Sequence, residues 1–242
     1  MSSMLKVIQG RQSSREQFDP ARPISKKDLK QILEAARWSP TAHNMQNFEI
    51  IVIDRKEPLA KIRKINSPIS KVFIRENYEQ LSFSKKEFLQ KRVGILATRF
   101  PPKWRDPAKV NEAVLEGKSR LLSDTMQGAQ VVLIVAYDIR RRAPASEGDF
   151  LGIISLGCVL ENMWLVANQL GISFHVMSVF GAYAVENKLK RLLKIPRYMK
   201  IAFAIRLGYT TSSSKYLRVR RDLGTFVHDN EYGNRWSDRS YK

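Results

Sequence analysis

The sequence predicts an α+β fold. Three apolar, β-branched runs read as strands (Phe48–Ile53, Val131–Tyr137 and Ile201–Leu207), and stretches of helical period lie between and around them. There is no Gly-x-Gly-x-x-Gly, no Walker loop, no His-Glu-x-x-His and no Cys-x-x-Cys pair. A dinucleotide-binding fold, a P-loop enzyme and a zinc site are therefore unsupported.

In chain order, Met4, Leu5 and Ile8 share one face of a short first helix that Gly10 can end. Ser25-Lys26-Lys27-Asp28 forms a capping box, so a second helix starts near Lys26 and buries Leu29, Ile32, Leu33 and Ala36. Ser39-Pro40 stops it, because Pro40 lacks an N–H and turns the residue before it away from helical angles. The strand Phe48–Ile53 follows. Leu59–Ile65, Phe83–Phe88 and Val110–Leu122 have helical character, and residues 99–107 form a proline-broken loop.

Val131–Tyr137 is apolar almost throughout, the pattern of a central strand covered on both faces. Gly152–Leu170 is the most apolar helix, fit for a core or a subunit interface, with Cys158 inside it as a small packing residue. Phe174–Gly181 is extended and runs into a turn; His175 on it reads as a satisfied core histidine. Val185–Leu193 is amphipathic and stops before Pro196.

The 242 residues suffice for one large domain or two small ones, and a 43% hydrophobic fraction is that of an ordinary globular chain. One cysteine excludes an internal disulfide and fits a reducing compartment. No signal peptide is read in Met1–Gly10, and no run reaches the roughly 18 apolar residues of a membrane span. A cytoplasmic protein with no membrane association is expected. The net charge of +19 points to an anionic partner. Its densest stretch, Ser84–Lys109, carries eight Lys/Arg against two acids but no nucleic-acid motif. A solvated basic surface is preferred to nucleic-acid binding.

Two stretches carry chemistry. Between helix and strand, Thr41, His43, Asn44, Gln46 and Asn47 put five polar side chains into a short link. A link that only turned would use Gly, Asp or Ser. Amides donate and accept in one plane, which suits a heteroaromatic ring with alternating C=O and N–H groups on its edge. Earlier, Arg11-Gln12-Ser13-Ser14-Arg15 sets two guanidinium forks beside hydroxyls, a set suited to phosphate.

Pro40-Thr41-x-x-Asn44-x-Gln46 resembles the FMN-dependent nitroreductase family, whose pattern ends in Pro-Trp where this chain has Asn47-Phe48. The resemblance covers Gly10–Asp54, Val131–Gly208 and Arg218–Leu223; Glu57–Gln130 matches only in layout. It implies a single FMN-binding domain over residues 1–242, a central, mostly antiparallel sheet flanked by helices, and an intertwined homodimer. Arg11, Ser13 and Arg15 would hold the FMN phosphate, with Gln12 along the flavin. Pro40, Thr41, Asn44 and Gln46 would meet the ring, and Met177, Ser178 and Val179 would lie near its N5. Arg218 and Arg220, or Arg221 in place of either, would return to the phosphate.

Residues 82–125 would form a variable lid and 224–242 an arm around the partner subunit. The implied activity is hydride transfer from NADH or NADPH through the flavin to a nitroaromatic, quinone or similar electron-poor acceptor. No side-chain acid or base is demanded, because the cofactor carries the chemistry. The competing expectation is a non-catalytic module on the same fold that binds flavin or an anionic surface.

Overall fold

The computed structural model describes residues 2–76, 106–146, 148–212 and 220–236. Its backbone contacts divide the chain into two compact units, Met1–Pro68 with Lys118–Ser214, and Ile69–Gly117 with Lys215–Lys242.

The first unit holds the sheet. Strands β1 (Phe48–Ile53), β2 (Val131–Asp138), β3 (Ser173–Met177) and β4 (Met199–Gly208) lie in the order β1-β2-β4-β3, every pair antiparallel. The all-antiparallel order agrees with the expected architecture. The pairing of β2 with β4 slips by one residue between Val135 and Ala136, where Ala202 is the extra residue. That bulge keeps Ile201 on the face of Ala204 and Arg206, while Phe203, Ile205 and Leu207 share the opposite face.

Two apolar layers follow from this alternation. On one face Val132, Ile134, Ala136, Ile201 and Ala204 pack with α3 (Lys56–Arg63) and α8 (Tyr183–Leu193). On the other, Val131, Leu133, Val135, Phe203 and Ile205 pack with α2 (Lys26–Arg37) and α7 (Phe150–Gln169). β2 is covered on both sides, as its unbroken apolar run requires. The capping box forms as read: Ser25 Oγ accepts from Asp28 N–H at 3.0 Å and donates to Asp28 Oδ2 at 2.7 Å. α8 ends on Lys194 in the left-handed region, two residues ahead of Pro196.

Two expectations change. No membrane-length apolar run was anticipated, yet α7 is long and apolar enough, by length and composition, to cross a membrane. Its Leu156, Val159, Met163 and Ala167 are instead packed on the sheet, the arrangement of a core helix. The helix expected over Val110–Leu122 stops at Gly117, a poor helix former. After it Leu121 bridges to Asn66, and a separate turn, α6 (Ser123–Met126), follows.

The second unit contains α4 (Lys71–Glu76), α5 (Val110–Gly117) and a 3-10 turn at Leu223–Thr225. Gly117 sits against Ile69; an added Cβ there would lie 2.8 Å from the Ile69 Cβ. In the expected arm, His228 bridges to Arg235 and stacks on Tyr232 at 4.6 Å. The helix read at Phe83–Phe88, most of the expected lid including Trp104, and residues 237–242 lie outside the described residues.

Candidate functional site

The basic loop follows α1 (Ser3–Gly10) and is fastened along its whole length. Arg11 Nε lies 3.0 Å from Glu161 Oε1, and its guanidinium stacks over Trp164 at 4.4 Å. Trp164 in turn donates Nε1–H to the Gln12 carbonyl at 3.2 Å and stacks on Phe174 at 5.0 Å. Ser13 and Arg15 are half-buried, Gln12 is exposed and Ser14 is buried. Ser14 N–H donates to the Phe174 carbonyl of β3 at 2.9 Å, and Phe18 N–H to that of Gln127 at 2.9 Å. Phe18 is fully buried and pairs with Thr210 just past β4. The loop is thus laid along the β3 side of the sheet.

The polar link has an unusual backbone. His43, Asn44 and Gln46 have φ of 49°, 52° and 45°, left-handed angles that are uncommon outside glycine and that cluster at ligand sites. Thr41 Oγ1 accepts from Gln46 N–H at 3.1 Å, and Asn44 Oδ1 accepts from Gln46 Nε2 at 2.8 Å. That leaves the exposed Asn44 Nδ2 as a donor and Gln46 Oε1 as an acceptor for a ligand. The link is tied down by α7: Ser155 Oγ accepts from Ala42 N–H at 2.9 Å, and Asn162 Nδ2 donates to Ser39 Oγ at 2.9 Å. Pro40 is exposed beside these anchors. Asn47, which stands where the family pattern has proline, is 6% exposed. Its Nδ2 is buried with no hydrogen-bond partner among the described residues.

At the third segment, β3 ends on Met177, whose side chain is buried in the core layer of α3 and α8. Ser178–Gly181 then forms a 3-10 turn in which Ser178 is exposed and Val179 half-buried. His175 Nδ1 accepts from Arg206 Nε at 3.0 Å, the satisfied core histidine expected of it.

The structure therefore brings Arg11–Arg15 to β3, two predicted segments side by side. It places Pro40–Gln46 elsewhere on α7. Helix positions advance about 100° per residue, so Glu161 and Trp164 stand roughly 100–180° around α7 from Ser155 and Asn162. The loop and the link flank opposite sides of one helix. Arg218 lies outside the described residues. Arg220 and Arg221 belong to the second unit, where Arg221 stacks on Phe226 at 5.2 Å.

Sequence reasoning missed the α7 anchors. Ser155, Glu161 and Asn162 are polar breaks in an apolar helix, and that was their available signal. It also missed a cleft of about 400 Å³ at the open end of the sheet, lined by Asn47, Asp138, Arg140 and Tyr198 among others. There Arg140 holds Asp138 through Nε–Oδ1 at 2.9 Å and Nη2–Oδ2 at 2.7 Å, and lies over Tyr198 at 3.5 Å. The Arg140 hydrogen bond holds the Asp138 carboxyl down to about 2. A depressed folded-state value stabilises the fold above the ordinary 3.8, and that contribution is lost as pH falls through about 2. Asp138→Asn is therefore expected to lower the melting temperature at neutral pH, with the difference from wild type closing as pH falls from about 4 to about 2. A pH-independent difference in thermal melts would contradict this.

Fold and site together define a class. The Nitroreductase family model matches residues 8–209, and the chain belongs to that family. YdgI of Bacillus subtilis (strain 168), an NAD(P)H nitroreductase by name, is 28% identical over 135 residues, 47% of this chain. The chain spans 63% of that relative's length. Among solved structures, a Bacteroides fragilis nitroreductase with bound FMN superposes with a TM-score of 0.58 at 16% identity, covering 94% of this chain and 98% of that one. A Desulfitobacterium hafniense DCB-2 nitroreductase with bound FMN gives 0.57 at 22% identity, covering 94% and 100%. At these identities the two structures establish the fold.

Proposed function

We propose that this chain is an FMN-dependent NAD(P)H oxidoreductase that works as a homodimer on nitroaromatic, quinone or similar electron-poor acceptors. The observation that carries the reading is the pair of prepared segments on α7, a cationic loop and a left-handed amide link. The residues fit FMN. Glu161, 3.0 Å from Nε, and Trp164, under the guanidinium, fix the position of Arg11 in the loop. Asn44 Nδ2 and Gln46 Oε1 present a donor and an acceptor in the order a flavin edge requires.

Arg11, Ser13 and Arg15 would hold the phosphate, with Gln12 beside the ring; Arg218, Arg220 and Arg221 are the proposed second cationic group. Thr41, Asn44 and Gln46, following Pro40, would set the ring, with Met177, Ser178 and Val179 along its reactive edge. When bound, FMN supplies the hydride acceptor and donor that link NADH or NADPH to the acceptor substrate. The protein's own work is binding, orientation and exposure of one stacking face.

Loop and link lie on opposite flanks of α7, so one flavin reaches both most directly if each comes from a different copy. The outward stripe of α7 suits such a partner. Phe150, Ile153 and Ile154 are 66%, 56% and 48% exposed, and Gly157 and Cys158 beside them allow close helix approach. Exposed apolar surface of this kind marks an interface.

The test is an absorption spectrum after FMN addition and desalting, followed by anaerobic NADH or NADPH. Retained flavin that bleaches is the expected result. A protein that retains no flavin overturns the reading. The +19 charge and the Asn47-Phe48 departure motivate the second reading, a flavin- or anion-binding module. Flavin that stays oxidised with either nucleotide, together with tight, salt-sensitive nucleic-acid binding, would favour it.

A further inference from the structure

We infer that Arg206 is the positioning residue of the Arg11–Arg15 loop. The inference rests on the reading of that loop as the flavin phosphate site. Arg206 sits toward the C-terminal end of β4 between Ile205 and Leu207, and is 0% exposed. A guanidinium there is costly unless its donors are met. All five N–H groups have an acceptor. Nε donates to His175 Nδ1 at 3.0 Å; Nη1 donates to the Met126 and Gln127 carbonyls, each at 3.2 Å. Nη2 donates to the Ser14 carbonyl at 3.2 Å and the Glu16 carbonyl at 2.9 Å. The flat face lies over the Phe18 ring at 4.2 Å.

The distribution of these bonds is informative. Both Nη2 bonds go to carbonyls of the residues on either side of Arg15, so the chain before and after that cation is pinned at one point. Nη1 holds the turn that receives Phe18 N–H through the Gln127 carbonyl. Nε holds His175, two residues ahead of Met177. A single planar group thus joins the candidate phosphate loop to the strand that leads into the candidate N5 segment. An apolar side chain would fill the same space without fixing either. Lysine carries three donors on one atom and cannot span the same acceptors.

The test compares wild type with Arg206→Lys by amide hydrogen exchange without added flavin, and by equilibrium binding of FMN and of riboflavin, which lacks the phosphate. Exchange of the Ser14–Phe18 amides is expected to quicken about tenfold while Val132–Val135 stay protected. FMN affinity is expected to fall about tenfold with riboflavin affinity within about twofold, since the phosphate loop loses its carbonyl anchors while β3 stays paired with β4 as far as Met177. Unchanged exchange in a folded variant, or equal loss of both ligands, overturns the proposal. Quickened loop exchange in a protein that binds neither flavin keeps the anchoring by Arg206 and overturns the flavin reading. Should Arg206→Lys fail to fold, Arg206→Met provides the same comparison, because it fills the space and donates to neither loop carbonyl.

Discussion

Arg11→Ala combined with Arg15→Ala is expected to weaken FMN binding by about two to four orders of magnitude, because a hydrogen bond to a charged partner contributes about 1.5–3 kcal/mol. Riboflavin affinity should hardly move, since the removed groups address the phosphate. Arg11 is the better prepared of the two. Glu161 and Trp164 already hold its side chain, so little rotamer freedom remains to be lost on binding. Arg15 is held through its neighbours' carbonyls. Fluorescence titration with both flavins gives the answer, and Lys61→Ala serves as the charge control. Lys61 pairs with Glu57 on α3 and has no part in the site. If FMN and riboflavin lose affinity alike, the loop shapes the ring pocket and does not bind phosphate.

That prediction starts from residues legible in the sequence, and its detail does not. Arg11, Ser13 and Arg15 stand out as a cationic loop because charge and hydroxyl spacing are local properties. The strands are legible for the same reason: Phe48–Ile53 appears with its bounds unchanged, and β2 extends the expected run by Asp138 alone. What holds the loop is not local. Glu161, Trp164, Phe174 and Arg206 reach it from positions 150 to 190 residues away, and nothing in the loop's own composition names them. Arg206 left a trace, a charge in an apolar run, but a single charge in a strand does not say which backbone it will bind. The left-handed angles at His43, Asn44 and Gln46 were equally hidden, because none is glycine and the bonds that close the turn, from Ala42 N–H to Ser155 and from Gln46 N–H to Thr41, appear only in the fold. The placement of loop and link on opposite flanks of α7 emerges only once helix phase is fixed by the sheet beneath.

Phe18→Ala is expected to destabilise the chain by about 3–5 kcal/mol, the range for deleting a buried phenylalanine. The upper part of that range applies here because the site around the ring is rigid. A Cβ added at Gly208 would lie 2.6 Å from Phe18 Cδ2, and one at Gly128, where φ is +80°, would lie 2.3 Å from the Phe18 carbonyl oxygen. Both glycines leave room for this residue, one for its ring and one for its backbone. On another side stands Arg206, whose position is set by five hydrogen bonds. With strand backbone, turn backbone and a fully bonded guanidinium on these sides, the socket has limited freedom to collapse into the space a ring vacates, so much of the cavity term is retained. Denaturant unfolding followed by far-UV circular dichroism measures the loss. The midpoint should fall with an unchanged slope, which marks a change in stability without a change in the surface exposed. A loss below about 1 kcal/mol would mean that the socket closes. Arg206 would then have moved, and with it the Ser14 and Glu16 carbonyls that hold Arg15. A small stability effect must therefore come with a large loss of FMN affinity, and a variant that shows neither would separate Phe18 and Arg206 from the loop they enclose.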